Sequence, residues 1–182
     1  MAAGAASRKN QRKRVGRLPA AQIGLSSRLM DAKQVQFAPH ICGLPAALEV
    51  VGERWSFLIL RGAFFGLGHF EQFQSQLGIA RNILANRLGK LVQHGILQRC
   101  DCSDDRRKVI YTLTPKGEAL LPTLLALRQW GERWEQRGPS NPVLVDQRDG
   151  KPVGEICVVA ADGRRLELCD LIWKDRSEMA QS

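Results

Sequence analysis

No stretch of the 182 residues approaches the roughly 20 consecutive apolar residues that span a bilayer. The basic N-terminus lacks the apolar core of a secretory signal. A cytoplasmic protein with no membrane partner is therefore expected. Cysteine is present in an odd number without a paired framework: Cys42, Cys100, Cys102, Cys157 and Cys169, with no C-x-x-C pair. That pattern predicts free thiols and gives no support to a four-thiolate zinc site. Only His40, His69 and His94 are available as imidazole ligands, and none stands at metal-ligand spacing. No nucleophile–base constellation and no phosphate-cradling glycine loop is visible, so neither an enzyme nor a cofactor is expected.

One sign of charge is scarce in two places. The net charge is +9, and it divides unevenly. Residues 1–40 hold eight Lys/Arg and one Asp, residues 78–117 hold eight Lys/Arg and three Asp, and the remainder is slightly acidic. The basic excess sits in a leader and in one internal segment, a distribution that suits a polyanion partner. The leader, SRKNQRKRVGR from Ser7 to Arg17, has almost no apolar content and is expected to be a disordered arm.

The internal segment lies within Phe70–Tyr111. Phe70, Phe73 and Leu77 fall at helical spacing, Gly78 breaks the helix, and a second helix is predicted over Arg81–Gln93. Its Ile83, Leu84, Leu88, Leu91 and Val92 cluster on one face. The opposite face carries Asn82, Asn86, Gly89 and Gln93 with no acidic residue, so nothing there repels a phosphate. This order predicts a helix-turn-helix followed by a β-ribbon wing, Ile96–Cys100 and Lys108–Leu113, around the tip SDDRRK. Asn82 and Asn86 are the candidate base readers, because an amide pairs bidentately with adenine. Arg81 and Lys90 are placed for phosphates, Arg87 for anchoring the helix or reaching a phosphate from its flank, and Arg106, Arg107 and Lys108 for the backbone or minor groove. An ordinary solvated helix face and a charged hairpin tip are the bland alternatives.

Upstream, helices are predicted over Pro45–Val51 and Glu53–Phe65. The second is apolar nearly all round and is expected at the centre of the core. Downstream, Thr114-Pro115 marks a helix start, and one long helix is expected to about Arg137. Pro122 either kinks it or lies early enough to be tolerated. Its stripe of Leu120, Leu121, Leu124, Leu125, Leu127, Trp130 and Trp134 calls for cover, and a second copy of the chain is the economical source. After Gly138–Pro142, the Asp149–Gly150 and Asp162–Gly163 pairs signal hairpin turns in a small β appendage over Val143–Trp173, with a disordered end.

The runs CGLPAALEVVGERWSFLILRGAFFG, GIARNILANRLGKLVQHGILQR and YTLTPKGEALLPTLLALRQWG, in this order, resemble the HxlR-type branch of winged-helix bacterial regulators, near the MarR group. The resemblance covers about half the chain. It implies a homodimer on double-stranded DNA, with dimer contacts from the first helix and the helix after the wing. It also implies regulation by a reactive or aromatic small molecule, in some members through a cysteine at the position of Cys42. That thiol precedes a helix N-terminus, whose field favours a thiolate; a small, partly buried, inert residue is the bland alternative. Three positions depart from the family pattern: Ala80 where Ser or Thr is usual, Gly43 after the cysteine, and the SDDRRK tip.

The expectation is thus an α+β winged helix-turn-helix with a long C-terminal dimerisation helix and a small β appendage. Its parts are a basic arm (1–40), a DNA-binding and dimerisation domain (41–137) and an extension (138–182). The function expected is sequence-specific transcriptional regulation at a palindromic operator. The competing reading is a protein-docking module that uses the same helices.

Overall fold

The computed structural model describes residues 42–101, 109–135, 138–174 and 176–179. The basic arm and the wing-tip residues Arg106, Arg107 and Lys108 lie outside the described residues. Among these residues no helix is long and apolar enough to cross a membrane.

Among the described residues, six helices and a two-stranded sheet make the main body. Helix α1 is Gly43–Val51, α2 Arg54–Phe64, α3 Phe70–Leu77 and α4 Arg81–Gln93. Strands β1 (Leu97–Asp101) and β2 (Val109–Leu113) pair antiparallel with Leu97 opposite Leu113 and Asp101 opposite Val109. Helices α5 (Pro115–Glu118) and α6 (Leu121–Trp134) follow. The core is where α2, α3 and α4 meet the base of the sheet: Ile59, Leu60, Phe73, Leu84, Leu88, Leu91, Ile96 and Leu97 are all buried.

Two features differ from the single long helix and the central α2 that the sequence predicts. The helix is interrupted at Ala119–Leu120, with Pro122 in the first turn of the second piece. Proline has no N–H to donate to the carbonyl four residues back, so an unbroken helix through it would lose a bond and meet a ring clash. Helix α2, in turn, buries one face only. Ser56, Ile59 and Leu60 are inside, whereas Phe57, Leu58 and Phe64 are half-buried and face a groove shared with α6.

The wing is anchored at both ends. Tyr111 N–H donates to the Gly68 carbonyl at 2.8 Å, and His69 bridges to Ile110, so the segment before α3 adds a short third rung to the ribbon. His69 Nδ1 lies 3.1 Å from the Val109 carbonyl, and Gln72 Oε1 accepts from the amides of Gly68 and His69. At the other end, Thr114 accepts from Gly117 N–H at 3.2 Å and donates to the Gly95 carbonyl at 2.6 Å. Gly117 itself is buried against the Ile96 carbonyl.

Beyond α6, residues 140–156 of the extension lie along that helix. Gln129 donates to the Gly154 carbonyl at 3.0 Å and accepts from Ile156 N–H at 2.8 Å, as a neighbouring strand would. Arg128 donates to the carbonyls of Ser140 and Pro142 and to Glu132. The Asp-Gly turns form where expected, with Gly150 at φ 68° and Gly163 at φ 83°. Only isolated bridges flank them, Val145 with Pro152 and Val159 with Arg165. Pro152 has no N–H for a ladder, and a lone ribbon without a second layer gains little from lengthening. Residues from 166 onward belong to a second unit. Within it are a 3₁₀ turn at Leu168–Asp170 and a short helix at Arg176–Met179, the latter where the sequence predicts disorder.

Two outcomes follow from this packing. A Cβ on Gly117 would stand 2.3 Å from the Ile96 carbonyl oxygen, so Gly117→Ala should cost about 1–3 kcal/mol, read from the urea midpoint; an unchanged midpoint would remove Gly117 from the base of the wing. The Glu132 carboxyl is held below its usual range by hydrogen bonding from Ser140, and then by Arg128. A depressed folded-state pKa contributes stability above the unfolded value, and that stability is lost as pH falls through the folded one. Stability curves of the wild type and Glu132→Gln should therefore separate near neutrality and converge in acid; parallel curves would contradict the pairing.

Candidate nucleic-acid interface

The α3–turn–α4 unit is built by three local choices. Gly78 takes the left-handed conformation at φ 60° that ends α3, and its N–H bonds the Gln74 carbonyl at 3.1 Å. Ile79 is buried and pins the turn. Ala80 then stands at the N-cap of α4 in an extended conformation without any side-chain cap. The first-turn amides of α4 are left without the hydroxyl acceptor that a Ser or Thr would supply, and the helix begins at Arg81 all the same. Its start is set instead by the buried seam of Leu84, Leu88 and Leu91.

The far end of α4 is closed by a Schellman motif. Ile96 N–H bonds the Leu91 carbonyl and Gly95 N–H the Val92 carbonyl, both at 2.9 Å, with Gly95 at φ 67°. Lys116 Nζ donates to the His94 carbonyl at 2.8 Å, placing a cation at the negative end of the helix. Local rules mark Thr114-Pro115 as a helix start and carry no sign of this closure of α4, whose partners lie 19 and 22 residues away.

With both ends fixed, the outward face is determined. Asn82, Asn86, Gly89, Lys90 and Gln93 are exposed, as are Arg81 and Ala85. The Arg81 guanidinium lies over the Phe70 ring at 4.9 Å, which aligns it beside the first turn. Arg87 is turned away from this face. Its guanidinium forms an ion pair with Glu53, the residue that precedes α2, and Arg87 Nε is buried without a hydrogen-bond partner among the described residues. Lys90 Nζ stands 3.9 Å from the same carboxylate while its side chain remains about half exposed. The sequence places Arg87 on the flank of the apolar face, which was the available signal; the identity of its partner, 34 residues away, was not legible.

Cys42 is the N-cap residue of α1 and is exposed, with no hydrogen bond from its side chain to the helix. Cys100, Cys157 and Cys169 are also exposed and free. Among the described residues no group of three or more His, Cys, Asp or Glu is arranged to hold a metal. Arg99, on β1 of the wing, is exposed, and the sequence alone does not single it out.

The HxlR-like helix-turn-helix family profile matches residues 50–139. An HTH-type transcriptional regulator of Mycobacterium tuberculosis is 43% identical over 99 residues, which are 54% of this chain and 63% of that protein. The chain therefore spans less than two thirds of the length of the mycobacterial relatives it matches. The HTH-type transcriptional regulator YodB of Bacillus subtilis is 31% identical over 96 residues, covering 52% of this chain and 86% of YodB. A solved structure assigned as a transcription factor superimposes with a TM-score of 0.69 at 41% identity, over 79% of this chain and 97% of that one. A second, from Pseudomonas aeruginosa, gives 0.52 at 37% identity over 77% and 99%.

The Glu53–Arg87 pair yields a direct check. A double-mutant cycle with Glu53→Gln and Arg87→Met should return a coupling of about 0.5–1 kcal/mol, the range for a pair with one half-exposed partner. A coupling indistinguishable from zero would mean that α2 does not hold α4 through this contact.

Proposed function

The chain belongs to the HxlR-like helix-turn-helix family of transcriptional regulators, and from that premise we propose that it acts in the cytoplasm as a homodimer reading a palindromic operator. The observation that carries the reading is the outward face of α4. On α4 itself it presents two amides and two cations and no carboxylate, with Glu53 3.9 Å from Lys90 at its edge, on a helix locked by Leu84, Leu88 and Leu91. Asn82 and Asn86 read base edges from the first turns of α4 in the major groove. Arg81 and Lys90 position the helix against phosphates, aided by the uncapped amides of the first turn. The wing-tip residues Arg106, Arg107 and Lys108 reach the flanking backbone. Arg87 serves as the anchor to Glu53, so its contribution to DNA affinity is through the angle of α4.

The dimer is inferred from apolar surface that the chain leaves exposed. Leu44 and Leu48 on α1, and Leu127, Trp130 and Trp134 on α6, are all more than half exposed. A contiguous two-fold interface would cover both helices and present two copies of α4 on one face of a duplex. Cys42, exposed at the start of α1, sits where oxidation or alkylation would alter such an interface, and this supports a redox or electrophile signal. The protein's business on this reading is regulation rather than catalysis.

The test is enrichment of genomic DNA fragments by the full chain. A palindromic site should be recovered, and Asn82→Ala/Asn86→Ala should weaken its binding at least tenfold, since each lost base contact costs about 1–3 kcal/mol. Both residues are exposed, so the variant should fold. Equal enrichment by the wild type and the double variant would favour the docking-module reading instead.

A further inference from the structure

Helix α4 has three basic residues, Arg81, Arg87 and Lys90, and no acidic one. A carboxylate is nonetheless brought to its edge from outside. Glu53 follows Gly52, which caps α1, and precedes Arg54, the first residue of α2. A Cβ on Gly52 would stand 2.4 Å from the Leu48 carbonyl oxygen, so glycine is what lets the chain pass so tightly from one helix to the next. Glu53 occupies the N-cap of α2, yet its side chain accepts no hydrogen bond from that helix. It turns instead to α4, where it pairs with Arg87 and its Oε1 stands 3.9 Å from Lys90 Nζ.

The two contacts differ in kind. Arg87 is largely buried, its side chain 17% exposed, and it holds the carboxylate in place. Lys90 and Glu53 are each about half exposed, so their contact opens to solvent on the side where a duplex would arrive. Its 3.9 Å span is well inside the roughly 10 Å over which ordinary salt screens exposed charges. A phosphate that approaches Lys90 therefore meets a fixed negative charge beside the cation. Asn82 and Asn86 are neutral, and so are the base edges they would pair with. The carboxylate thus opposes a phosphate contact and leaves base reading untouched.

We propose that Glu53 is a specificity-determining residue for DNA, a resident anion that weakens the phosphate contact of Lys90 while keeping Arg87 as the anchor of α4. The inference rests on the reading of α4 as the duplex-facing helix and identifies what limits binding there. Binding without base contacts is carried by phosphates, so it loses the larger share of its strength to this carboxylate. The base-reading complex also needs α4 held, and the Glu53–Arg87 pair supplies that hold. One carboxylate works against the sequence-independent mode and for the sequence-dependent one.

The test is equilibrium binding of the full chain to its recovered genomic site and to a scrambled duplex of the same length and composition, each over a series of salt concentrations. Glu53→Gln keeps the shape of the side chain and removes its charge, and the half-exposed position lets the variant fold, as circular dichroism would verify. On the scrambled duplex it should bind about three- to tenfold tighter than the wild type, and the slope of log affinity against log salt should steepen by about 0.9, the increment for one more phosphate neutralised. The gain on the genomic site should be smaller, so the preference for that site narrows. In a Lys90→Met background the gain on the scrambled duplex should vanish. Scrambled binding that is unchanged or weaker, or a preference that does not narrow, would overturn the inference. So would a gain that persists without Lys90, because loss of any negative charge would then have the same effect. A wild type with no preferred site would overturn the operator reading and this inference together, whereas a preferred site with any of the contrary results above would overturn this one alone.

Discussion

The outward face of α4 depends on the burial of three leucines. Leu84, Leu88 and Leu91 on α4 close against Ile59 and Leu60 of α2 and Phe73 of α3 within one core. Fully burying a leucine is worth about 1.5–3 kcal/mol, so this seam outweighs the missing cap at Ala80, which is worth only about 1 kcal/mol. That comparison explains why α4 begins at Arg81 despite lacking the hydroxyl acceptor. It also explains the aim of Asn82 and Asn86. On a 3.6-residue helix, residues placed opposite a fixed apolar seam have one direction left to them.

The same helix α2 that receives the seam also reaches α4 through Glu53 and forms a wall of the groove against α6. One element therefore touches the recognition helix, the core and the cavity. Loss of the Glu53–Arg87 pair would leave the leucine seam intact, because an ion pair at a half-exposed carboxylate is a softer constraint than close-packed side chains. The base of the wing is held by different means: Thr114, Gly117 and Lys116 fasten β2 and α5 to the last turn of α4 through backbone carbonyls. Those contacts set the spacing between the helix and the ribbon.

Much of this was legible in the residues. The turn at Gly78, the bounds of α4 and, within a residue, the wing strands followed from local rules, because each involves neighbours within a few residues. The exposed amide face followed from periodicity alone. What periodicity could not supply was the partner of any long-range contact. Arg87 was placed on the flank of the apolar face, yet Glu53 was out of reach of any local argument. The apolar character of α2 suggested a central helix; it reflects instead one buried face and one face toward the groove, two environments that leave the same composition. Pro122 was recognised as a kink or a tolerated early residue, and the structure places the break just before it. In the extension, the Asp-Gly turns formed while strands beyond single bridges did not, since turn chemistry is local and strand pairing needs a second layer.

The central claim is that two copies of α4 enter successive major grooves of one duplex. Hydroxyl-radical footprinting of the full chain on its best genomic fragment tests it most directly. Two protected tracts of equal depth, related by a dyad and separated by about one helical turn or a multiple of it, are predicted. A single unpaired tract, or protection without any dyad, would contradict the account.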